Sequence, residues 1–237
     1  MKFKTHLIIV FLLAAITRLL HLYYYPVRLT DYHLIQTAAD NLTNGYGMGF
    51  QRSSVEDLSL FYFEGLRLWP PLVTVITAYI NQITGNRFLT DVIMLSLSML
   101  GLLWILYKIA KTINLHTSWI IVLFLFLAFN PEVIKHPGFS DVTSAFFCLW
   151  SILVTAEWIK SDTEKNYLQI ILTSLLLFLP SAFRYQYYPL SVFLSIAIVT
   201  YAIHSKNKKM LNAGLVCLSL TLSFLLLQEI LLYSCTK

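Results

Sequence analysis

The residues of this sequence that can do chemistry gather where its apolar runs stop. Asp31 lies in Arg28-Leu29-Thr30-Asp31-Tyr32, just after the first apolar run. A mostly polar stretch from Tyr25 to Pro71 follows, with Asp40, Glu56, Asp57 and Glu64; with Asp31 these make five of the 12 acidic residues in the chain. Carboxylates collected in one loop of a lipid-loving protein either bind or react there, or simply keep the loop in water. Arg184, in Phe183-Arg184-Tyr185-Gln186-Tyr187-Tyr188-Pro189, interrupts a long apolar run. An arginine at membrane depth faces protein or water, because lipid exposure costs about 2.5 kcal/mol or more. It either contacts an anion such as a phosphate or anchors the chain at the interface among its tyrosines. Asp141, in Phe139-Ser140-Asp141-Val142, opens another apolar run and either caps that helix or joins a site.

The elements that must position these residues are membrane helices. The 237 residues are 57% apolar and 12% charged, where a soluble domain sits nearer 25% charged. The expectation is an all-α polytopic membrane protein made of one membrane domain over 1–237. About 20 apolar residues cross a bilayer core, and the expected spans are 6–25, 88–110, 118–134, 141–159, 167–183, 186–204 and 210–233. The run from Leu7 to Tyr25 is long for a signal peptide, contains Arg18 and lacks a small-x-small cleavage site, so it reads as an uncleaved first helix. Segment 26–87 is then a long outer loop carrying juxtamembrane helices, and 88–233 holds six further spans.

The stretch 70–84 decides the topology. It is apolar but has only about fifteen residues, opens with Pro70-Pro71 and carries Asn81 and Gln82. If it does not cross, seven spans put Lys2, Lys4, Lys108, Lys111, Lys160, Lys165, Lys206, Lys208 and Lys209 in the cytoplasm. If it crosses, Lys108, Lys111 and the Lys206–Lys209 cluster move outside. The first arrangement fits the positive-inside rule, so 70–84 is expected to lie on the outer surface. Asp31, Glu64, Arg87, Asp141 and Arg184 then meet at the outer face from five separate places in the sequence.

Within the loop, Thr30 suits the N-cap of a helix from Asp31 to Asn44, with Leu34, Ala38 and Leu42 on one side and Gly45 at the C′ position. Its positive end favours an ionised Asp31. Gly45-Tyr46-Gly47-Met48-Gly49 reads as a flexible exit, since it opens no helix and lacks the GK[ST] ending of a phosphate loop. Asn41-Leu42-Thr43 is a glycosylation sequon of a kind common by chance. Cys148, Cys217 and Cys235 make neither a disulfide framework nor a metal site, and the six histidines show no ligand spacing. No cofactor is expected, and a divalent cation is not readable from the residues. The net charge of +5 sits in short loops between apolar runs, so it calls for no nucleic-acid partner.

The ordered set of local patterns is similar to one known family. Arg28-x-x-Asp31-Tyr32 is followed by Ala38-Ala39-x-Asn41-Leu42-x-x-Gly45-Tyr46-Gly47, Trp69-Pro70-Pro71-Leu72, Gly85 with Arg87, Asn130-Pro131, and Ser140-Asp141. This order resembles the membrane-embedded GT-C glycosyltransferases, specifically the bacterial relatives of protein O-mannosyltransferase and aminoarabinose transferase in glycosyltransferase family 39. The resemblance implies a sugar carried on a polyprenyl phosphate and transfer at the periplasmic face of a bacterial inner membrane. It implies that Asp31 is the general base, and that Arg87, Asp141 and Arg184 serve the donor, with the two arginines on its phosphate. Tyr32 and Glu64 join the donor-binding set, although the acidic residue at Glu64 lies further from Pro70 than the family pattern has it, and Tyr32 stands where the eukaryotic enzymes carry Glu.

Two other readings compete. Family enzymes continue beyond the seventh span whereas this sequence ends at Lys237, which allows a truncated, non-catalytic membrane subunit. A lipid or anion transporter is the third; it would place polar groups near the midplane and show internal repeats, neither of which the sequence displays.

Overall fold

The computed structural model describes residues 30–53, 61–65, 70–129, 139–160 and 166–235, together with 5, 8–10, 12, 13, 16, 17 and 20. The elements run α1 (Thr30–Thr43), β1 (Gly49–Ser53), β2 (Phe61–Gly65), α2 (Pro71–Thr84), α3 (Arg87–Thr112), α4 (Thr117–Phe129), α5 (Phe139–Lys160), α6 (Tyr167–Phe183), a 3-10 turn (Tyr185–Tyr187), α7 (Tyr188–His204) and α8 (Lys208–Cys235). Every described residue between 5 and 20 is helical. Arg18, Glu56, Asp57, Trp69 and the part of the expected third span beyond Phe129 lie outside the described residues.

Local signals place the helix ends. Gly45, at φ +81, closes α1: its N–H donates to the Leu42 carbonyl, and the Tyr46 N–H donates to Asn41, the paired bonds of a Schellman ending. Pro70 and Pro71 start α2, where a missing N–H costs nothing, and Gly85 ends it in the left-handed region. Asn86 caps α3 by accepting from the Phe88 and Leu89 N–H groups. Asn166 and Gln169 form a reciprocal capping box on α6.

The expected flexible exit after α1 instead leads into strand. Residues 49–53 pair antiparallel with 61–65, Phe50 opposite Glu64 and Arg52 opposite Tyr62. Phe61-Tyr62-Phe63 is rich in strand-favouring aromatics, but no two-residue turn signal stands between the two segments.

Among the described residues, four helices are long and apolar enough to cross a membrane by length and composition: Arg87–Thr112, Asp141–Lys160, Tyr185–His204 and Lys208–Leu231; Tyr167–Phe183 is apolar and shorter. Leu97, Trp119, Phe126, Phe193 and Leu226 are all more than half exposed, a far larger apolar surface than water tolerates. The chain is a helical membrane protein. Helix α2, with 14 residues, is about 21 Å long and falls short of a hydrocarbon core of about 30 Å.

Side-chain contacts fix the helix directions. Ser98 shares a hydrogen bond with Thr143, the Trp104 and Trp150 rings meet edge to face at 5.6 Å, and a Cβ on Gly101 would stand 2.9 Å from Phe146. α3 and α5 are therefore parallel, and glycine lets them approach. Ser151 against Leu176 and Phe147 against Phe183 make α5 and α6 antiparallel. Tyr188 with Glu229, and Gly214 beside Ile198, do the same for α7 and α8. One end of the bundle thus collects Lys108, Lys111, Lys160, Lys206, Lys208 and Lys209. The other end collects the starts of α3, α5 and α7 and the finish of α6.

The interior has two apolar clusters. One joins Val10, Ile35, Val73, Met99, Ile120, Phe124 and Leu153. The other joins Trp158, Leu177, Ile198, Ala213 and Cys217. Pro180 lies inside α6 and cannot donate to the Leu176 carbonyl one turn earlier. The Ser151 hydroxyl of α5 lies 2.8 Å from that carbonyl and shares its one proton between it and the Phe147 carbonyl of its own helix at 2.7 Å.

Candidate functional site

Arg184 stands at the apex between α6 and α7. Its backbone is extended, at φ −151 and ψ 124, and its N–H donates to the Pro180 carbonyl, so helix α6 ends there and the side chain turns toward α5. The guanidinium pairs with the Asp141 carboxylate in the first turn of α5. Asp141 and Arg184, both expected to serve the donor, are thus brought together, and each neutralises the other's charge. The pair is not sealed: the two side chains are 48% and 31% exposed. Arg184 Nε is buried with no hydrogen-bond acceptor, an N–H donor still open.

Arg87 does not join that pair. It forms an ion pair with Asp40 of α1, next to a chain of amides in which Asn81 donates to Gln36 at 2.9 Å and Gln36 donates to Asp91 at 3.1 Å. Gln36 is buried. Register gives the depth. Because Ser98 faces Thr143, Asp141 stands level with Ser96 of α3, nine residues inward from Arg87, or about 13 Å. Of the two arginines expected on the phosphate, Arg184 thus pairs with Asp141, and Arg87, further out along the bundle, pairs with Asp40 and ties α1 to α3.

The same register locates Asp31. Asp40 meets Arg87 and Gln36 meets Asp91, so α1 runs antiparallel to the start of α3 and its N-terminal turn leads inward. Asp31 is five residues before Gln36, and Ser96 is five residues after Asp91. The Asp31 backbone lies in the first turn of α1, nine residues before the Asp40 that pairs with Arg87. Tyr32 follows it in the same turn, and Glu64 is the fourth residue of β2, opposite Phe50. The side chains of Asp31, Tyr32 and Glu64 lie outside the described residues. Asn41, the sequon asparagine, donates through Nδ2 to the Gly49 carbonyl at 2.6 Å, so its amide braces the turn into β1.

A second polar group at this end was not singled out in the sequence. Tyr188 donates to Glu229 Oε1 at 2.6 Å and accepts from Gln228 Nε2 at 2.9 Å. The Tyr185 and Tyr188 rings meet edge to face at 5.3 Å. The available signal was the Gln228-Glu229 pair interrupting the apolar run of the last helix, since an ionisable residue inside a span is a functional candidate by default.

Among the described residues no group of three or more His, Cys, Asp and Glu is arranged to hold a metal ion, and Cys148 and Cys217 are free thiols. No protein-family model, curated protein or solved structure matches this chain.

Proposed function

We propose that the chain is a membrane glycosyltransferase that moves a sugar from a polyprenyl phosphate to an acceptor hydroxyl, with the GT-C architecture its local patterns resemble. One observation carries this reading: the Arg184–Asp141 pair, with a guanidinium donor still open, stands at the end of the bundle opposite the lysines, the end to which α1 brings Asp31. That is the geometry a lipid-borne donor needs, because its phosphate stays near the headgroups while the sugar meets a base beside it.

In the reaction the acceptor oxygen bonds to the anomeric carbon, and the bond from that carbon to the phosphate oxygen breaks. The bonding electrons leave with the lipid phosphate, and the hydroxyl proton passes to the Asp31 carboxylate. Arg184 stabilises the charge gathering on the phosphate, using donors that Asp141 does not occupy. Tyr32 and Glu64 belong to the donor side. Arg87 holds α1 through Asp40 and so positions Asp31.

In this reading the chain crosses seven times, at the spans expected from the sequence, with the lysine end in the cytoplasm and the site outward in a bacterial inner membrane. The parallel course of α3 and α5 supports it, because the chain must return between them and α4 lies there. A transporter is less well supported, since the sequence shows no internal repeat.

The test is transfer from a short-chain polyprenyl-phosphate sugar in proteoliposomes. Asp31→Asn keeps shape and insertion but accepts no proton, and transfer is expected to fall by about two to four orders of magnitude. Undiminished transfer would remove Asp31 as the base.

A further inference from the structure

Among the described residues, three buried polar atoms around the turn between α6 and α7 have no hydrogen-bond partner: Arg184 Nε, the Tyr185 hydroxyl and Gln228 Oε1. Such atoms are uncommon in a folded protein, and each costs free energy unless something fills it. Gln228 is 4% exposed. Its orientation is fixed by its neighbours: Tyr188 gives its only proton to Glu229, so it must accept from the Gln228 amide nitrogen. The amide oxygen is therefore the group left open. Gln228 also faces the Tyr185 hydroxyl, but no hydrogen bond of normal geometry joins them. The result is an open acceptor and an open hydroxyl side by side, flanked by two tyrosine rings and an exposed carboxylate on Glu229.

We infer that Tyr185 and Gln228 form a subsite for the hydroxyls of a sugar ring, the glycosyl part of the donor. A ring hydroxyl both gives and takes a hydrogen bond, which matches an amide oxygen beside a phenol. The tyrosine faces offer stacking surface. Glu229 stays fixed by Tyr188 and tops the rim with an acceptor. Arg184 precedes Tyr185 directly in the chain, so the phosphate-binding arginine and the subsite share the turn between α6 and α7. This subsite rests on the transferase reading for the identity of the phosphate-bearing lipid.

The experiment measures binding to the full chain in nanodiscs by calorimetry. The probes are farnesyl phosphate and farnesyl phosphates carrying glucose, mannose, galactose or xylose. At least one sugar-bearing probe should bind more tightly than farnesyl phosphate, and Tyr185→Phe and Gln228→Leu should each shrink that margin about five- to thirty-fold. Neither should change the affinity for farnesyl phosphate. Tyr185→Phe should also leave thermal stability unchanged or raised, because it deletes a hydroxyl that makes no hydrogen bond of normal geometry in the free protein; a lowered melting temperature would give Tyr185 a structural role and overturn the subsite. So would a margin absent for all four sugars, or one that both variants leave intact. A wild type that shows the sugar margin but transfers to no acceptor keeps the subsite and removes the transferase. One that binds neither lipid class removes both.

Discussion

Arg184 carries two duties that a single substitution would confuse, because it neutralises Asp141 and offers an open donor. Charge-assisted bonds to a phosphate contribute about 1.5–3 kcal/mol, so Arg184→Gln should weaken farnesyl phosphate binding by about ten- to a hundred-fold. Arg184→Lys keeps charge without the fork and should fall between. Asp141→Asn separates the duties. It breaks the ion pair but leaves the guanidinium, so phosphate affinity should hold or rise as a competing carboxylate is removed. Equal losses of affinity in Arg184→Gln and Asp141→Asn, tracking losses of inserted protein, would reduce the pair to an interfacial anchor.

Among the elements, α5 and α6 depend on one hydroxyl. Pro180 leaves the Leu176 carbonyl without its helical donor, and Ser151 shares one with it from the neighbouring helix. In hydrocarbon an unpaired carbonyl has no water to turn to. Ser151→Ala should cost about 0.5–1.5 kcal/mol, the range of interhelical hydrogen bonds in membranes. In a Pro180→Ala background the backbone N–H returns and that cost should largely vanish, which a double-mutant cycle of unfolding in mixed micelles reads directly. A Ser151→Ala penalty unchanged by Pro180→Ala would mean the serine acts through packing alone. Elsewhere, Ser174, Ser191, Ser195 and Thr221 donate their hydroxyls to carbonyls of the preceding turn, so close helix contact leaves these polar groups paired.

At the scale of the whole molecule, the lysine end and the carboxylate end set the orientation. In a cysteine-free background, Gln82→Cys on α2 should react with an impermeant reagent added from outside, and Lys209→Cys only after the cytoplasmic side is opened. Gln82→Cys reacting from the cytoplasm alone would make α2 a span and undo the seven-span arrangement. Hydropathy marked the membrane helices, glycine and proline marked the ends of α1 and α2, and the lysine spacing marked one face, because each of these signals is local and written in residue type. The pairings were not legible. Asp141 with Arg184 and Asp40 with Arg87 join residues 43 and 47 apart, and they depend on how each helix is rotated and shifted against its neighbour. In water a helix advertises its buried face by polarity. In lipid both faces are apolar, so the sequence by itself determined which segments are helices and which end is basic. Only the tertiary structure decided that Arg87 stands about 13 Å out from Arg184's partner, and that Gln228 and Glu229 come to meet Tyr188.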